Sequence, residues 1–326
     1  MRTRLAGSKF LPGLCGIALM TGSTVLAQNY PAKPIRLIVI SAPGGTTDAL
    51  ARAYSLRLAE KFVQPVVVDN KPGGGGVIAA ETVAHAAPDG YTLLLANLSH
   101  SLMGSLHSKL SFDPQRDFTP VAFMGFTNSV LVTNMAVPVK TVKDIIAYAK
   151  ARPGGINYAG GTTGATAHLS GELFKLMTGV NITHVPYKGT AAAITALIGA
   201  EVPIAFLSLP PCVPHIQSGR LRGIAIGSAT RSVALPDLPT VAESGVPGFD
   251  VSAWNGILAP RGMPRPLLTL LNREFDRVTE NSEVKDKALA QGTELETKTP
   301  EQFGAFLLAQ TAKWTRVAKA SGMQPD

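Results

Sequence analysis

From Ile35 onward the chain alternates short apolar runs, each closed by Gly, Pro or Asn, with longer stretches of helical spacing. The run Leu37–Ile40 predicts a buried strand, and Pro43-Gly44-Gly45 ends it. Thr46, Thr47 and Asp48 are competent N-caps, and Ala49, Leu50, Ala53, Leu56 and Leu58 predict an amphipathic helix running to about Lys61. Strands follow at Gln64–Asp69, Tyr91–Ala96, Val121–Phe126 and Val130–Thr133, with a helix at Val77–Ala86 and an irregular stretch at Phe112–Thr119. A second series predicts helices Val142–Lys150, Ala165–Met177, Ala191–Ile198 and Val213–Ser218, interleaved with strands Ile156–Ala159, Ile182–Pro186, Val202–Ser208 and Leu221–Ile226. The last portion predicts strand Ser252–Ala259 and helices Leu267–Glu280, Ser282–Gln291 and Pro300–Ser321. Such alternation implies the α/β class, with mainly parallel sheets covered on both faces.

Two junctions share one design. The stretch Leu37–Arg52 and the stretch Ile156–Thr166 each pass from strand through a glycine- and threonine-rich loop into a helix. Such a junction leaves backbone N–H groups unpaired at the positive end of a helix, a ready anion site. In the second loop, Gly160-Gly161-Thr162-Thr163-Gly164-Ala165-Thr166, the three threonines offer hydroxyls and the glycines offer backbone N–H groups. Ligands of open parallel sheets bind beyond the carboxyl ends of the strands, where both loops would lie. Neutral donors and helix dipoles hold an anion reversibly, whereas a buried unpaired Lys or Arg is costly in the empty state.

Composition narrows the setting. Arg2, Arg4 and Lys9, then the apolar Phe10–Val25 and a small Ala27, predict a secretory signal peptide over residues 1–27 and a periplasmic mature protein without stable membrane insertion. Its removal leaves 27 basic against 22 acidic residues, net +5, where the full chain carries +8. No run of Lys or Arg accompanies that charge, so no nucleic acid is expected. Cys212 is then the sole cysteine, so no intrachain disulfide forms. About 300 residues suggest two domains. The chain has no Gly-x-Ser-x-Gly, His-Glu-x-x-His or Cys-x-x-Cys. An enzyme is therefore not expected, and the remaining alternative of that class is a hydrolase using Cys212 beside His215. The tetraglycine Gly73–Gly76 lacks the third spaced glycine of a dinucleotide fingerprint, since Ile78 stands there.

A family resemblance rests on many segments in one order. They include Tyr30-Pro-x-Lys-Pro-Ile-Arg-Leu-Ile-Val39, Ala42-Pro-Gly-Gly-Thr-Thr-Asp48 and Val67-Val-Asp-Asn-Lys-Pro-Gly-Gly-Gly-Gly76. Further on stand Ala87-Pro-Asp-Gly-Tyr-Thr-Leu-Leu-Leu95, Phe112-Asp-Pro-x-x-Asp-Phe118, His168-Leu-Ser-Gly-Glu-Leu-Phe174, His184-Val-Pro-Tyr-Lys-Gly-Thr190 and Leu238-Pro-Thr-Val-Ala-Glu-Ser-Gly245. Over about residues 30–326 the chain resembles the Bug (TctC-like) family, periplasmic solute-binding proteins of tripartite tricarboxylate transporters. The resemblance implies a two-lobe Venus-flytrap of the type II periplasmic-binding-protein kind, with an interlobe cleft. Lobe 1 would take residues 28–127 with 253–326, lobe 2 residues 128–252, and the crossing strands near Asn128–Val132 and Ser252–Gly256 would be the hinge. It implies capture of a small carboxylate, a tripartite tricarboxylate-type membrane transporter as partner, a monomer, no cofactor and no metal. A sensor handing the same carboxylate signal to a different partner is the alternative.

Carried onto this sequence, the gripping loops are Pro43, Gly44, Gly45, Thr46, Thr47 and Asp48, and Gly161, Thr162, Thr163, Gly164, Ala165 and Thr166. Asn97, Ser99 and His100, beyond the third strand, are expected to reach the guest's other end, and His168 to touch or orient the second loop. Asp48 reads first as an N-cap that shapes its loop and second as a ligand contact. Tyr187 is a candidate to line the cleft, and Trp254 to pack at the hinge or touch the guest. Ser208 stands where the family often has Asp, and Leu209-Pro-Pro-Cys212 is more apolar than usual, which favours a flatter or more apolar guest such as an aromatic carboxylate.

Overall fold

Strand β1 (Ile35–Val39) is apolar throughout except at Arg36 because β2 (Val66–Asn70) and β3 (Thr92–Asn97) flank it in parallel and helices cover its faces. The computed structural model describes residues 30–323 apart from 162, 163 and 291; the expected signal peptide, Thr162 and Thr163 fall outside the described residues. Strands β4 (Phe118–Thr127), β10 (Ala253–Pro260) and β11 (Thr293–Glu294) complete a first sheet in the order β11-β4-β10-β3-β1-β2. The second sheet runs β7-β6-β8-β5-β9, from β5 (Ser129–Asn134), β6 (Ile156–Gly160), β7 (Ile182–Pro186), β8 (Ile204–Ser208) and β9 (Leu221–Ile226).

Pair by pair both sheets are mixed, yet most strands point one way. In the first, β1 to β4 share a direction and β10 and β11 oppose them; in the second only β5 opposes the rest. The reversed β10 and β5 are the strands by which the chain crosses between sheets. Only Asn128 separates β4 from β5. It is pinned on every side. Its N–H donates to Gly292 O (3.1 Å), its carbonyl accepts from Leu209 N–H (2.9 Å), Nδ2 donates to Glu294 Oε1 (2.6 Å), and Oδ1 accepts from Ser228 Oγ (2.8 Å). One apolar cluster runs from Ile38 and Phe123 in the first sheet through Trp254, Phe303 and Trp314 to Leu131, Tyr158 and Phe206 in the second.

Among the elements that differ from the sequence reading, three have a clear physical cause. Helix Thr46–Phe62 buries Leu50, Ala51, Tyr54 and Leu58, a stripe at i, i+4 and i+8 that leaves Leu56 60% exposed. Helix Leu209–Gln217 starts four residues before the expected Val213. Pro210 and Pro211 sit in its first turn, where the N–H that proline lacks would be unpaired anyway. Strand β11, two residues long, has no local signal. Gly125, at φ +114°, admits it: a Cβ there would stand 2.1 Å from Glu294 O.

Candidate functional site

The two loops singled out in the sequence are built alike. In each, a glycine with positive φ precedes the N-cap, Gly44 (φ +82°) before Gly45 and Gly164 (φ +79°) before Ala165. A threonine then opens the helix, and the residue at its third position reaches back to the glycine. Asp48 Oδ2 accepts the Gly44 N–H at 2.9 Å, and His168 Nδ1 accepts the Gly164 N–H at 3.1 Å. Both side chains thus tie down the turn from behind. Burial pushes the Asp48 carboxyl upward, but the Arg52 guanidinium (Nε at 3.0 Å) and the Gly44 N–H outweigh it and hold it below the ordinary carboxylate value. His168 is pushed down to about 4, first by burial and then by His184, whose ring lies 4.4 Å away. A neutral imidazole with its proton on Nε2 is what the Gly164 contact requires. Gly160, beneath it, has to be glycine: a Cβ there would meet His184 Nε2 at 2.8 Å.

Asp48 and His168 are buried, with Asp48 Oδ2 and His168 Nδ1 turned into their own loops, which is the loop-shaping role that the sequence offered beside ligand contact. Pro43, Gly44, Gly45 and Gly164 likewise shape the turns and stand outside the cleft lining. Ser99 also stands outside it, its backbone N–H donating to Asn97 Oδ1 at 3.0 Å. His100 is buried, Nε2 at 2.9 Å from Pro114 O, and burial lowers its pKa to about 4. Tyr187 Oη instead donates to Glu201 Oε2, at 3.3 Å.

Between the sheets lies a cavity of ≈ 400 Å³. Of the expected residues it brings together Thr46, Thr47, Asn97, Gly161, Ala165, Thr166 and Ser208. Ser41, Thr127, Asn128, Ser129, Gly189, Thr190 and Asn255 join them without having been expected there. Gly189-Thr190 opens a helix as Gly45-Thr46 does, a repeat of that Gly-Thr signal in the chain, and Ala165-Thr166 is the variant with alanine. The crossing-strand residues carried no such signal.

Four helices begin at this cavity, and each brings its positive end. Thr46, Thr166 and Thr190 are their first residues, and Ser208 is the N-cap of the fourth. None of the four N-caps, Gly45, Ala165, Gly189 and Ser208, satisfies its helix with a side chain. Of the helices that start elsewhere, Val142–Lys150 and Pro300–Ala320 carry complete capping boxes at Thr141 and Thr299, whereas Val77–Ala84 and Arg265–Glu280 also lack a side-chain cap, so it is the convergence of the uncapped starts that marks the cavity. The first three starts therefore present unpaired N–H groups to the cavity, each end carrying about half a positive charge. The fourth differs. Leu209 N–H already donates to Asn128 O, and Pro210 and Pro211 have no N–H, so this helix lends its dipole without donors. Among the described residues no charged side chain lines the cavity. Positive potential at neutral walls selects an anion, and one held by hydrogen bonds rather than by an ion pair.

Cys212 stands apart from this. It is buried, and burial pushes its thiol up to about 12, which removes the thiolate a nucleophile needs.

The model of the tripartite tricarboxylate transporter family receptor matches residues 50–323. The protein BugT of Bordetella pertussis is 38% identical over 317 residues, covering 96% of this chain and 97% of that one. Among solved structures, R. palustris Rpa4515 with adipate is 36% identical with a TM-score of 0.80, covering 91% of this chain and 100% of that one. MatC of Rhodopseudomonas palustris with bound malate is 31% identical with a TM-score of 0.74, covering 88% and 99%.

Proposed function

The chain belongs to the tripartite tricarboxylate transporter receptor family, whose members are solute-binding proteins and not enzymes, and on that premise we propose that it captures a small organic carboxylate in its interlobe cleft for delivery to a tripartite tricarboxylate-type transporter. The observation that carries this reading is the convergence of three uncapped, threonine-started helix N-termini on an uncharged cavity. That Rpa4515 was solved with adipate and MatC with malate supports a carboxylate, and aromatic acids are within the proposed range.

In this proposal the protein works as a monomer in the periplasm after loss of residues 1–27. Residues 28–127 with 253–326 form one lobe and 128–252 the other. A carboxylate meets Thr46 and Thr47 on the first lobe and Gly161–Thr166 with Gly189-Thr190 on the second. Each lobe alone offers only part of the donors, so the guest binds the closed form better than the open one and shifts the population toward it by that difference. Because, among the described residues, no charged side chain lines the cleft, the empty state leaves no cation unpaired there and release is not opposed by an ion pair.

A thermal-shift screen of tricarboxylates, dicarboxylates, amino acids and benzoate- or pyridine-type acids tests the reading. One or more carboxylates should raise the melting temperature, by about 2.7 kcal/mol of added stability at a hundredfold excess over Kd. A complete absence of response across the screen, with the protein folded, would refute it. Delivery is checked separately: uptake by the membrane transporter should require the added protein.

A further inference from the structure

Behind the second gripping loop stand two rings. His168, the third residue of its helix, takes the Gly164 N–H. His184 comes from the neighbouring strand: the parallel register of β6 on β7 sets it beside Tyr158. Its ring lies 5.2 Å from that of Tyr158 and 4.4 Å from that of His168. Burial holds the His184 pKa below its ordinary value, while a hydrogen bond to the Gly161 backbone and the Glu172 carboxylate pull it back upward. A bond that favours the charged ring is one the ring donates, so its acceptor is the Gly161 carbonyl. Nε2 is buried beside Gly160 without a partner, which leaves Nδ1 as the donor. The stacked rings are therefore opposite tautomers, His168 with Nδ1 bare and His184 with its proton on Nδ1.

The first lobe repeats the arrangement with different chemistry. Asn70 ends β2, the strand parallel to β1, and its Nδ2 donates to the Ser41 carbonyl at 3.1 Å. Arg52 Nη2, 3.4 Å from Asn70 Oδ1, fixes which end of the amide points there. Asp48 and Asn70 on the first lobe thus correspond to His168 and His184 on the second. In each pair one side chain takes an N–H of its loop and the other takes a carbonyl. The two carbonyls so taken belong to Ser41 and Gly161, and both residues line the cavity, whereas Asn70 and His184 do not. A carbonyl turned into an anion site repels the guest, and a concave run of N–H groups attracts it. In a trans peptide the carbonyl and the N–H point to opposite sides, so drawing the one back presents the other.

Resting on the carboxylate reading above, we infer that His184 and Asn70 are positioning residues for the guest, each holding one cavity-wall carbonyl back so that the peptide group presents its N–H. Neither side chain touches the guest. Each works from the strand next to its loop, as a donor aimed at a single backbone oxygen. The role asks for a neutral donor in a fixed place, which a buried, stacked imidazole and an amide anchored by Arg52 both supply. A peptide group released from either donor is free to turn its oxygen toward the guest.

Titration calorimetry at pH 7.5 tests this with citrate, adipate, glutamate, benzoate and nicotinate, one acid from each class of the thermal-shift screen. His184→Phe keeps the stack on His168, deletes the donor and removes a buried nitrogen that has no partner. Affinity for every acid that binds the parent should fall about tenfold, while the unliganded melting temperature stays within a few degrees. His184→Asn, whose amide nitrogen falls close to the place of Nδ1, should recover most of that loss, which a purely structural role for the ring would not produce. Asn70→Ala should cost about tenfold as well, an independent reading should the His184 variants fold poorly. Nitrogen-15 spectra of the parent's histidines should show His184 protonated on Nδ1 and His168 on Nε2. Folded Phe and Ala variants that bind within twofold of the parent overturn the inference, as does a proton on Nε2 of both rings, or a loss in the Phe variant that Asn does not recover. Binding of none of the five acids by the folded parent overturns the carboxylate reading itself, a result distinct from variants that bind as the parent does.

Discussion

Ser208→Asp separates the electrostatics of the cleft from its stability, because the two should move in opposite senses. Ser208 is the N-cap of helix Leu209–Gln217 and lines the cavity, and it offers its helix no side-chain cap. An aspartate is as good an N-cap residue as serine and adds about 0.3–1 kcal/mol from the helix dipole. The unliganded protein should therefore melt within a few degrees of the parent. A guest carboxylate sees a like charge instead. A cavity of ≈ 400 Å³ is about 9 Å across if taken as a sphere, which bounds the separation from above. At that distance and an effective dielectric of about 20 the repulsion is about 2 kcal/mol, and at about 4 Å it is about 4 kcal/mol. Affinity for a carboxylate should thus fall between about 20-fold and 1,000-fold. Titration calorimetry at pH 7 measures this, with thermal unfolding of the empty variant beside it. Lowering the pH until the new carboxyl protonates should restore part of the loss, and a guest with an amino group should gain. Carboxylate affinity within threefold of the parent, in a folded variant, would refute the claim that the uncharged wall at Ser208, where the family often has Asp, matters to the guest of this chain.

Other outcomes follow from single contacts. Gly44→Val places a β-branched residue at φ +82°, with strain of about 1–2 kcal/mol and no clash; binding should be lost while circular dichroism stays native. Gly171→Ala puts a Cβ 2.1 Å from the Tyr158 ring, and overpacking should cost about 1–3 kcal/mol or more in urea unfolding, with the helix that carries Thr166 displaced. His100 and His168 both sit near pKa 4 by burial, against about 6.5 in an unfolded chain. The unfolded state takes up protons that the folded state refuses, so their contribution is complete above about pH 6.5 and is lost as pH falls toward 4; His100→Phe should flatten that slope, and stability rising with acid would contradict the assignment. Cys212 should react with iodoacetamide only after unfolding, and Cys212→Ala should bind as the parent does.

Much of the architecture was legible because it is local. Apolar runs of strand length, closed by Gly or Pro, marked nearly every strand, and threonines after glycines marked where helices start. The misses have physical causes. Tyr54 rather than Leu56 faces the core because the buried stripe is set by what helix Thr46–Phe62 lies on, and Tyr54 finds Thr279 Oγ1 at 2.8 Å, 225 residues away. The Pro-Pro pair lay outside the helix expected from Val213 and turned out to be its first turn. Strand β11 exists only because Gly125 lets it approach.

For the site the division is sharper. An unpaired N–H at a helix start follows from the hydrogen-bond pattern of the helix itself, so the anion-binding character proposed for Thr46–Thr47 and Ala165–Thr166 could be read from the sequence. Direction is not local. Whether a helix start opens on a cavity or on solvent depends on how strands from distant parts of the chain cross and twist. So the tertiary structure alone decided that Gly189-Thr190 joins the other two, and it chose, between the two roles the sequence offered for Asp48 and His168, the one that braces their loops.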